Sequence, residues 1–202
     1  YLDRFMKNRI EEKQLDYTGS ELKDKTIGII GFGAVGKKVA EFCRAFDMNV
    51  LVNSRHAAVQ PDNSVKIADF DNLVSVSDIV TVHASLNPQT KHMIDKIVFK
   101  KMKKTALFIN TARGGIVNEN DLIAALKDKE ISGACLDVFE SEPLSIDNEL
   151  RNLSNVILTP HTAGMPDGVK FHKKRYDFFV NNIERIANGE EPENKLNKVL
   201  QF

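Results

Sequence analysis

Three segments of this 202-residue sequence carry side chains whose types and spacing suit acid–base work on a small acid. Phe108-Ile-Asn-Thr-Ala-Arg-Gly-Gly-Ile-Val117 sets Arg113 directly after an apolar, β-rich run and before two glycines that tighten the backbone. A guanidinium offers a fixed fork of donors that can hold a carboxylate and polarise a neighbouring carbonyl. Cys135-Leu-Asp-Val-Phe-Glu-Ser-Glu-Pro143 ends a second such run in three carboxylates, Asp137, Glu140 and Glu142. Leu158-Thr-Pro-His-Thr-Ala-Gly164 then places His161 at the end of a third. A histidine can deliver or accept a proton at a carbonyl oxygen, and an adjacent carboxylate favours its protonated form near neutral pH. Arginine, carboxylate and histidine together suit reversible hydride transfer to a 2-oxo acid, provided that a cofactor carries the hydride.

A cofactor cradle stands upstream. In Thr26-Ile-Gly-Ile-Ile-Gly-Phe-Gly-Ala-Val-Gly36, residues Gly31, Gly33 and Gly36 fall in the G-x-G-x-x-G register between a strand-like run and a helix-like one. The first glycine makes the tight turn, the second lets backbone approach a pyrophosphate, and the third allows close packing of helix on strand. The amides of Ala34 and Val35 then face phosphate at the start of the helix. About 20 residues on, where enzymes using NAD carry an acid for the ribose hydroxyls, this chain has Asn53-Ser54-Arg55. Ser54 and Arg55 can donate to a 2′-phosphate that an acid would repel, so NADP is the preferred cofactor, with NAD possible.

These residues need elements that bring them to one edge. Short apolar runs at Thr26 to Ile30, Asn49 to Val52, Ile79 to His83, Ala106 to Asn110, Gly133 to Val138 and Val156 to Leu158 read as strands. Helical patterns cover Val35 to Phe46, Asp95 to Met102 and Glu119 to Lys127. Such alternation predicts an α/β Rossmann fold, a doubly wound parallel sheet with helices on both faces and ligands at the carboxyl ends of the strands. Two segments lie outside the alternation, Tyr1 to Leu15 and Val169 to Asn188, each with an apolar stripe at helical spacing. Residues 1–20 are therefore read as a crossover or dimerisation helix with its linker, 21–166 as the nucleotide-binding domain, and 167–202 as a C-terminal helix and tail.

Composition narrows the partners. Lys and Arg number 28 and so do Asp and Glu, which leaves no basic field for nucleic acid or an anionic membrane. No run approaches the roughly 20 apolar residues of a membrane span, and no metal site is expected. Cys43 and Cys135 sit in apolar runs, where buried free thiols fit a reducing, cytoplasmic setting.

The motifs in their order resemble the D-isomer-specific 2-hydroxyacid dehydrogenase family, which includes glyoxylate and hydroxypyruvate reductases and phosphoglycerate dehydrogenases. Gly31 to Gly36, Asn110 to Val117, Asp137 to Pro143 and Thr159-Pro-His161 carry the likeness, which runs from about Glu21 to Asn197. It implies catalytic roles for Arg113, Glu142 and His161, and leaves Glu140 a bystander. It also implies that Asp137 bonds the nicotinamide carboxamide, that Thr111 and Gly164 line the nicotinamide pocket, and that His83 sits at the cofactor cleft without a chemical role. His56, His92 and His172 read as surface residues. Two departures, Ser85 where the family commonly has proline and Lys104-Thr105 in place of a Pro-Gly turn, lie away from the chemistry.

By the same likeness the substrate is a small 2-oxo or 2-hydroxy acid and the assembly a homodimer. Family members carry a further N-terminal substrate half, absent from this sequence, so cofactor binding with little or no turnover is expected of these 202 residues alone. The alternative within the family is a nucleotide-regulated, corepressor-like binding protein.

Overall fold

A computed structural model describes residues 20–54, 65–164 and 168–194, with backbone alone for 168–171. The segment Tyr1 to Leu15 and Arg55 and His56 lie outside the described residues. The chain divides into two compact units, residues 1–161 and 162–202.

In the first unit, strand β1 (Thr26–Ile30) leads through a glycine turn into helix α1 (Ala34–Ala45) and back into β2 (Asn49–Asn53). A two-residue β3 (Lys66–Ile67) and a short α2 (Phe70–Val76) follow, then β4 (Ile79–Val82) and α3 (Lys96–Lys101). The unit ends with β5 (Leu107–Asn110), α4 (Glu119–Lys127), β6 (Gly133–Leu136) and β7 (Val156–Leu158). Single 3-10 turns at Gly114–Ile116 and Glu149–Asn152 interrupt the last two connections.

All seven strands are parallel, in the order β3-β2-β1-β4-β5-β6-β7. The order reverses between β1 and β4, where chain leaving the strands diverges and opens a crevice at their carboxyl ends. The expected α/β Rossmann sheet is therefore present.

Strand side chains alternate between two cores. On one face Ile27, Ile29, Val50 and Val52 pack with Ala40, Val39 and Cys43, one stripe of α1. On the other Val80, Val82, Phe108, Ala134 and Leu136 meet the inward sides of α2, α3 and α4. Phe99 of α3 stands edge-on to Phe108 of β5, with ring centroids 5.4 Å apart. Gly28 belongs to this contact, since a Cβ there would run into Leu73 and Ser77 of α2.

Local chemistry fixes the helix starts. Asp69, Asp95 and Asn118 each accept backbone N–H bonds at the openings of α2, α3 and α4. Helix α1 instead begins on Gly33 with no side-chain cap.

Element ends agree with the sequence expectation to within one residue except at β6, and β3, α2 and the burial of the cysteines also differ from it. β6 stops at Leu136 rather than Val138, because its pairing with both neighbours ends at Leu136 and Val138 and Phe139, though buried, lie past the ladder. β3 and α2 are too short to show a period. Cys43 and Cys135 are free thiols but only partly buried, and burial still pushes both thiols up.

The second unit contains helix α5 (Gly168–Ala187), which brings Tyr176, Phe179, Ile183 and Ile186 to one side at spacings of three and four. Among the described residues no helix is long and apolar enough to cross a membrane, and no cluster of three metal-ligating side chains occurs.

Candidate functional site

The turn after β1 is built so that its backbone is open to a ligand. Gly31 has φ 96°, in the left-handed region, and its N–H donates to Asn53 O over 2.8 Å. A Cβ there would lie 2.6 Å from Ala84 N and His83 C, so the turn seats directly on the end of β4. A Cβ on Gly36 would strike Gly31 O, which is the close helix–strand contact its position in the motif calls for. Gly33 differs: its Cβ would meet nothing within 4 Å. The first helical bond runs from Lys37 N to Gly33 O, so the amides of Ala34, Val35 and Gly36 precede it. An open glycine in front of three amides and the positive end of a 12-residue helix fits the phosphates of a dinucleotide.

Neighbouring residues line this crevice. Asn53 turns its amide onto Ala68 O at 3.0 Å and so ties the end of β2 to the segment after β3. Ser54 is half-buried just beyond β2. His83 donates its backbone N–H to Ile30 O, and its Nε2 lies 3.0 Å from Thr81 Oγ1. Burial pushes its imidazole pKa down and favours the neutral ring.

On the far side of the switch point the loops after β5, β6 and β7 gather the second group. Thr111 and Arg113 follow β5 and are exposed, and Arg113 Nη1 donates to Ala112 O over 2.6 Å. Beneath them Asn110, 1% exposed, donates to Arg113 O and accepts from Ala112 N, both at 3.0 Å. Asn110 thus fixes the backbone from which Arg113 projects. The sequence signal for it was present, a polar side chain ending an apolar strand, but only its burial shows what it braces.

Asp137, 3% exposed, accepts from Thr159 Oγ1 over 2.5 Å, and its carbonyl accepts from His161 N over 2.8 Å. It therefore holds the chain on which His161 sits. His161 has φ 53°, a left-handed conformation uncommon for a residue with a Cβ. Its Nδ1 lies 2.6 Å from Glu142 Oε2, and Glu142 Oε1 accepts from Phe139 N over 3.0 Å. The His161 bond, then the Phe139 amide, hold the Glu142 carboxyl below its ordinary range. With Nδ1 engaged, Nε2 is the imidazole atom left to exchange a proton. A cavity of about 550 Å³ opens beside the pair, walled by Phe139, Pro143, Leu144, Leu158 and Pro160 and rimmed by Arg151.

Gly114 couples the arginine loop to the carboxylate loop, since a Cβ there would fall on the Phe139 carbonyl. Of the residues singled out in sequence, Glu142 and His161 meet directly, and Asp137 supports them. Arg113 stands on the loop packed against theirs. Gly164 belongs to the second unit, and Arg55 lies outside the described residues. His92, taken for a plain surface residue, places its Nε2 2.7 Å from Glu140 Oε1.

Comparison with known proteins agrees with this fold. The family described as D-isomer specific 2-hydroxyacid dehydrogenase, NAD binding domain, matches residues 1–163. A candidate 2-hydroxyacid dehydrogenase of Staphylococcus saprophyticus is 48% identical over 149 residues, 73% of this chain and 46% of the relative. One from Staphylococcus haemolyticus is 40% identical over 186 residues, 91% of this chain and 58% of the relative. The chain thus spans about half the length of these relatives. Among solved structures, the D-isomer specific 2-hydroxyacid dehydrogenase of Lactobacillus delbrueckii ssp. bulgaricus, complexed with NAD, has a TM-score of 0.85 at 29% identity, covering 97% of this chain and 64% of that one. The NADPH-dependent glyoxylate/hydroxypyruvate reductase of Sinorhizobium meliloti, in complex with NADP and sulfate, has a TM-score of 0.83 at 28% identity, covering 98% and 62%.

Proposed function

Because the chain belongs to the D-isomer specific 2-hydroxyacid dehydrogenase family through its NAD binding domain, we propose that it holds the cofactor of an oxidoreductase interconverting a small 2-oxo acid, of the glyoxylate or hydroxypyruvate type, and its D-2-hydroxy acid. The observation that carries the proposal is the 2.6 Å His161–Glu142 pair at the same sheet edge as the glycine-opened turn. A nicotinamide bound there supplies or takes up the hydride. His161 Nε2 exchanges the proton at the substrate oxygen, while Glu142 accepts from Nδ1 and stabilises the imidazolium. Arg113 offers its fork of donors to the substrate carboxylate, and Asp137, Thr111, Gly164 and His83 serve the nicotinamide side.

We infer a preference for NADP. No acid follows β2, where the chain reads Asn53-Ser54-Arg55, and Ser54 and Arg55 suit a 2′-phosphate. We further infer a homodimer, to which the exposed Phe42 and Phe46 of the α1 region contribute apolar surface, and a cytoplasmic setting, which suits two free thiols.

Calorimetric titration of the chain with NADPH and NADH side by side tests the reading. Tighter NADPH binding that Arg55→Asp weakens supports it. Equal or tighter NADH binding removes the NADP preference, and binding of neither removes the cofactor role. Turnover by these 202 residues alone is expected to be slight, since this chain spans only about half the length of its relatives; a clear steady-state rate with glyoxylate would contradict that.

A further inference from the structure

The loops after β4, β5 and β6 are joined by a second cluster of side chains, with partners distinct from those of the His161 pair. Glu140 Oε1 lies 2.7 Å from His92 Nε2 and accepts from Glu119 N over 3.3 Å. Glu119 reaches back: Oε2 accepts from Glu140 N over 3.1 Å and Oε1 from Asn148 Nδ2 over 2.7 Å. His92 in turn donates its backbone N–H to Gly115 O, and two residues on Ile94 bridges Val117. Two carboxylates therefore exchange bonds with each other's backbone amide across the first turn of α4. Two like charges this close repel unless donors surround them. Here two backbone amides, an asparagine amide and an imidazole do so, beside the positive end of α4.

The consequence lies two residues further along. The turn from Phe139 to Glu142 is closed on one side by Glu142 itself, through the Phe139 amide, and its Phe139 carbonyl abuts Gly114. Glu140 pins the middle of the same turn to α4 and to the loop after β4. We propose that Glu140, braced by Glu119 and His92, is a positioning residue that fixes the turn carrying Glu142, and through it the imidazole of His161. This rests on taking His161 and Glu142 as the proton-exchanging pair.

The test reads Glu142 directly, by ¹³C NMR titration of its carboxyl in the chain labelled at glutamate. His161→Gln gives the reference for complete loss of the pair. In Glu140→Ala the Glu142 midpoint is expected to rise by at least half as much as in that reference. In Glu140→Gln, whose amide oxygen can still accept from Glu119 N, the rise is expected to be smaller. The sign is informative, because removing a neighbouring negative charge would by itself push the Glu142 midpoint down. His92→Asn releases Glu140 from outside the turn, and asparagine tolerates the left-handed φ of 51° at this position; it should shift Glu142 in the same direction as Glu140→Gln.

A Glu142 midpoint that stays at its wild-type value, or falls, in the folded Glu140 variants overturns the proposal, even where urea midpoints drop. Should Glu140→Ala not fold, unchanged midpoints in both Glu140→Gln and His92→Asn do the same. A chain that binds neither nucleotide yet shows these rises keeps the positioning role and loses the cofactor role. Nucleotide binding with an unmoved Glu142 reverses that outcome.

Discussion

Replacing Gly33 by alanine should separate the stability of this domain from its grip on nucleotide. Gly33 holds φ −77° and ψ −161°, extended backbone that alanine adopts without strain, and its Cβ would meet nothing within 4 Å. Alanine reduces unfolded-state entropy, a gain of about 0.4–1 kcal/mol. It is a poorer N-cap than glycine, by a similar amount of roughly 0.5–1 kcal/mol. These offset, so the urea midpoint should stay within about 0.5 kcal/mol of wild type. In the proposed cofactor site the added methyl nevertheless fills the space through which a phosphate oxygen would reach the amides of Ala34 and Val35. Losing one charge-assisted hydrogen bond costs about 1.5–3 kcal/mol, or roughly 10- to 150-fold in Kd. Calorimetry with NADPH and NADH, run beside urea denaturation, reads both quantities. Gly36→Ala is the contrast: its Cβ strikes Gly31 O, so stability itself should fall by about 1–3 kcal/mol. Unchanged nucleotide affinity in Gly33→Ala would refute the placement of phosphate over this turn. Marked destabilisation would refute the open space in front of it.

Gly114→Ala should lower stability by about 1–3 kcal/mol, because its Cβ falls on the Phe139 carbonyl; the same displacement should raise the Glu142 titration midpoint, and an unmoved midpoint would show the two loops to be independent. The Glu142 carboxyl is held below its ordinary range, about 4.3, first by the His161 bond and then by the Phe139 amide. A depressed carboxyl contributes stability above its unfolded pKa and loses it as pH falls through the folded pKa. Denaturation of wild type and Glu142→Gln should therefore differ near neutral pH and converge as the pH drops below about 4; a gap that persists at low pH would point to packing instead of charge.

Sequence was informative wherever function forces a local backbone choice. Gly31, Gly33 and Gly36 could be assigned three different tasks before any coordinates, and the structure gives them three different surroundings: a left-handed turn on β4, open space, and contact with Gly31 O. The strands that carry the site were legible for a related reason. β1 and β4 are buried along most of their length, so they read as near-continuous apolar runs. Where a segment is short, that signal fails. β3 exposes both its residues and pairs over two positions, and α2 completes barely two turns, so neither builds a period. Val138 and Phe139 mislead in the opposite way, because apolar character records burial and not the ladder, and these two are buried past the end of β6.

The same distinction explains why type and spacing pointed to a carboxylate beside His161 without choosing Glu142 over Glu140, a choice that only the family likeness made. Glu142 and His161 act at one point, and their residue types announce acid–base chemistry. Glu140 has an identical carboxylate two residues away, so type and spacing leave the two interchangeable. What separates them is direction, which is set by contacts distant in sequence: Gly114 against the Phe139 carbonyl, Glu119 on the Glu140 amide, and His92 from the loop after β4. A parallel sheet brings such loops together only at its carboxyl edge. The architecture that collects the reactive groups therefore also collects the groups that hold them, and carboxylates two residues apart in one loop can take different partners, Glu142 the imidazole of His161 and Glu140 the scaffold.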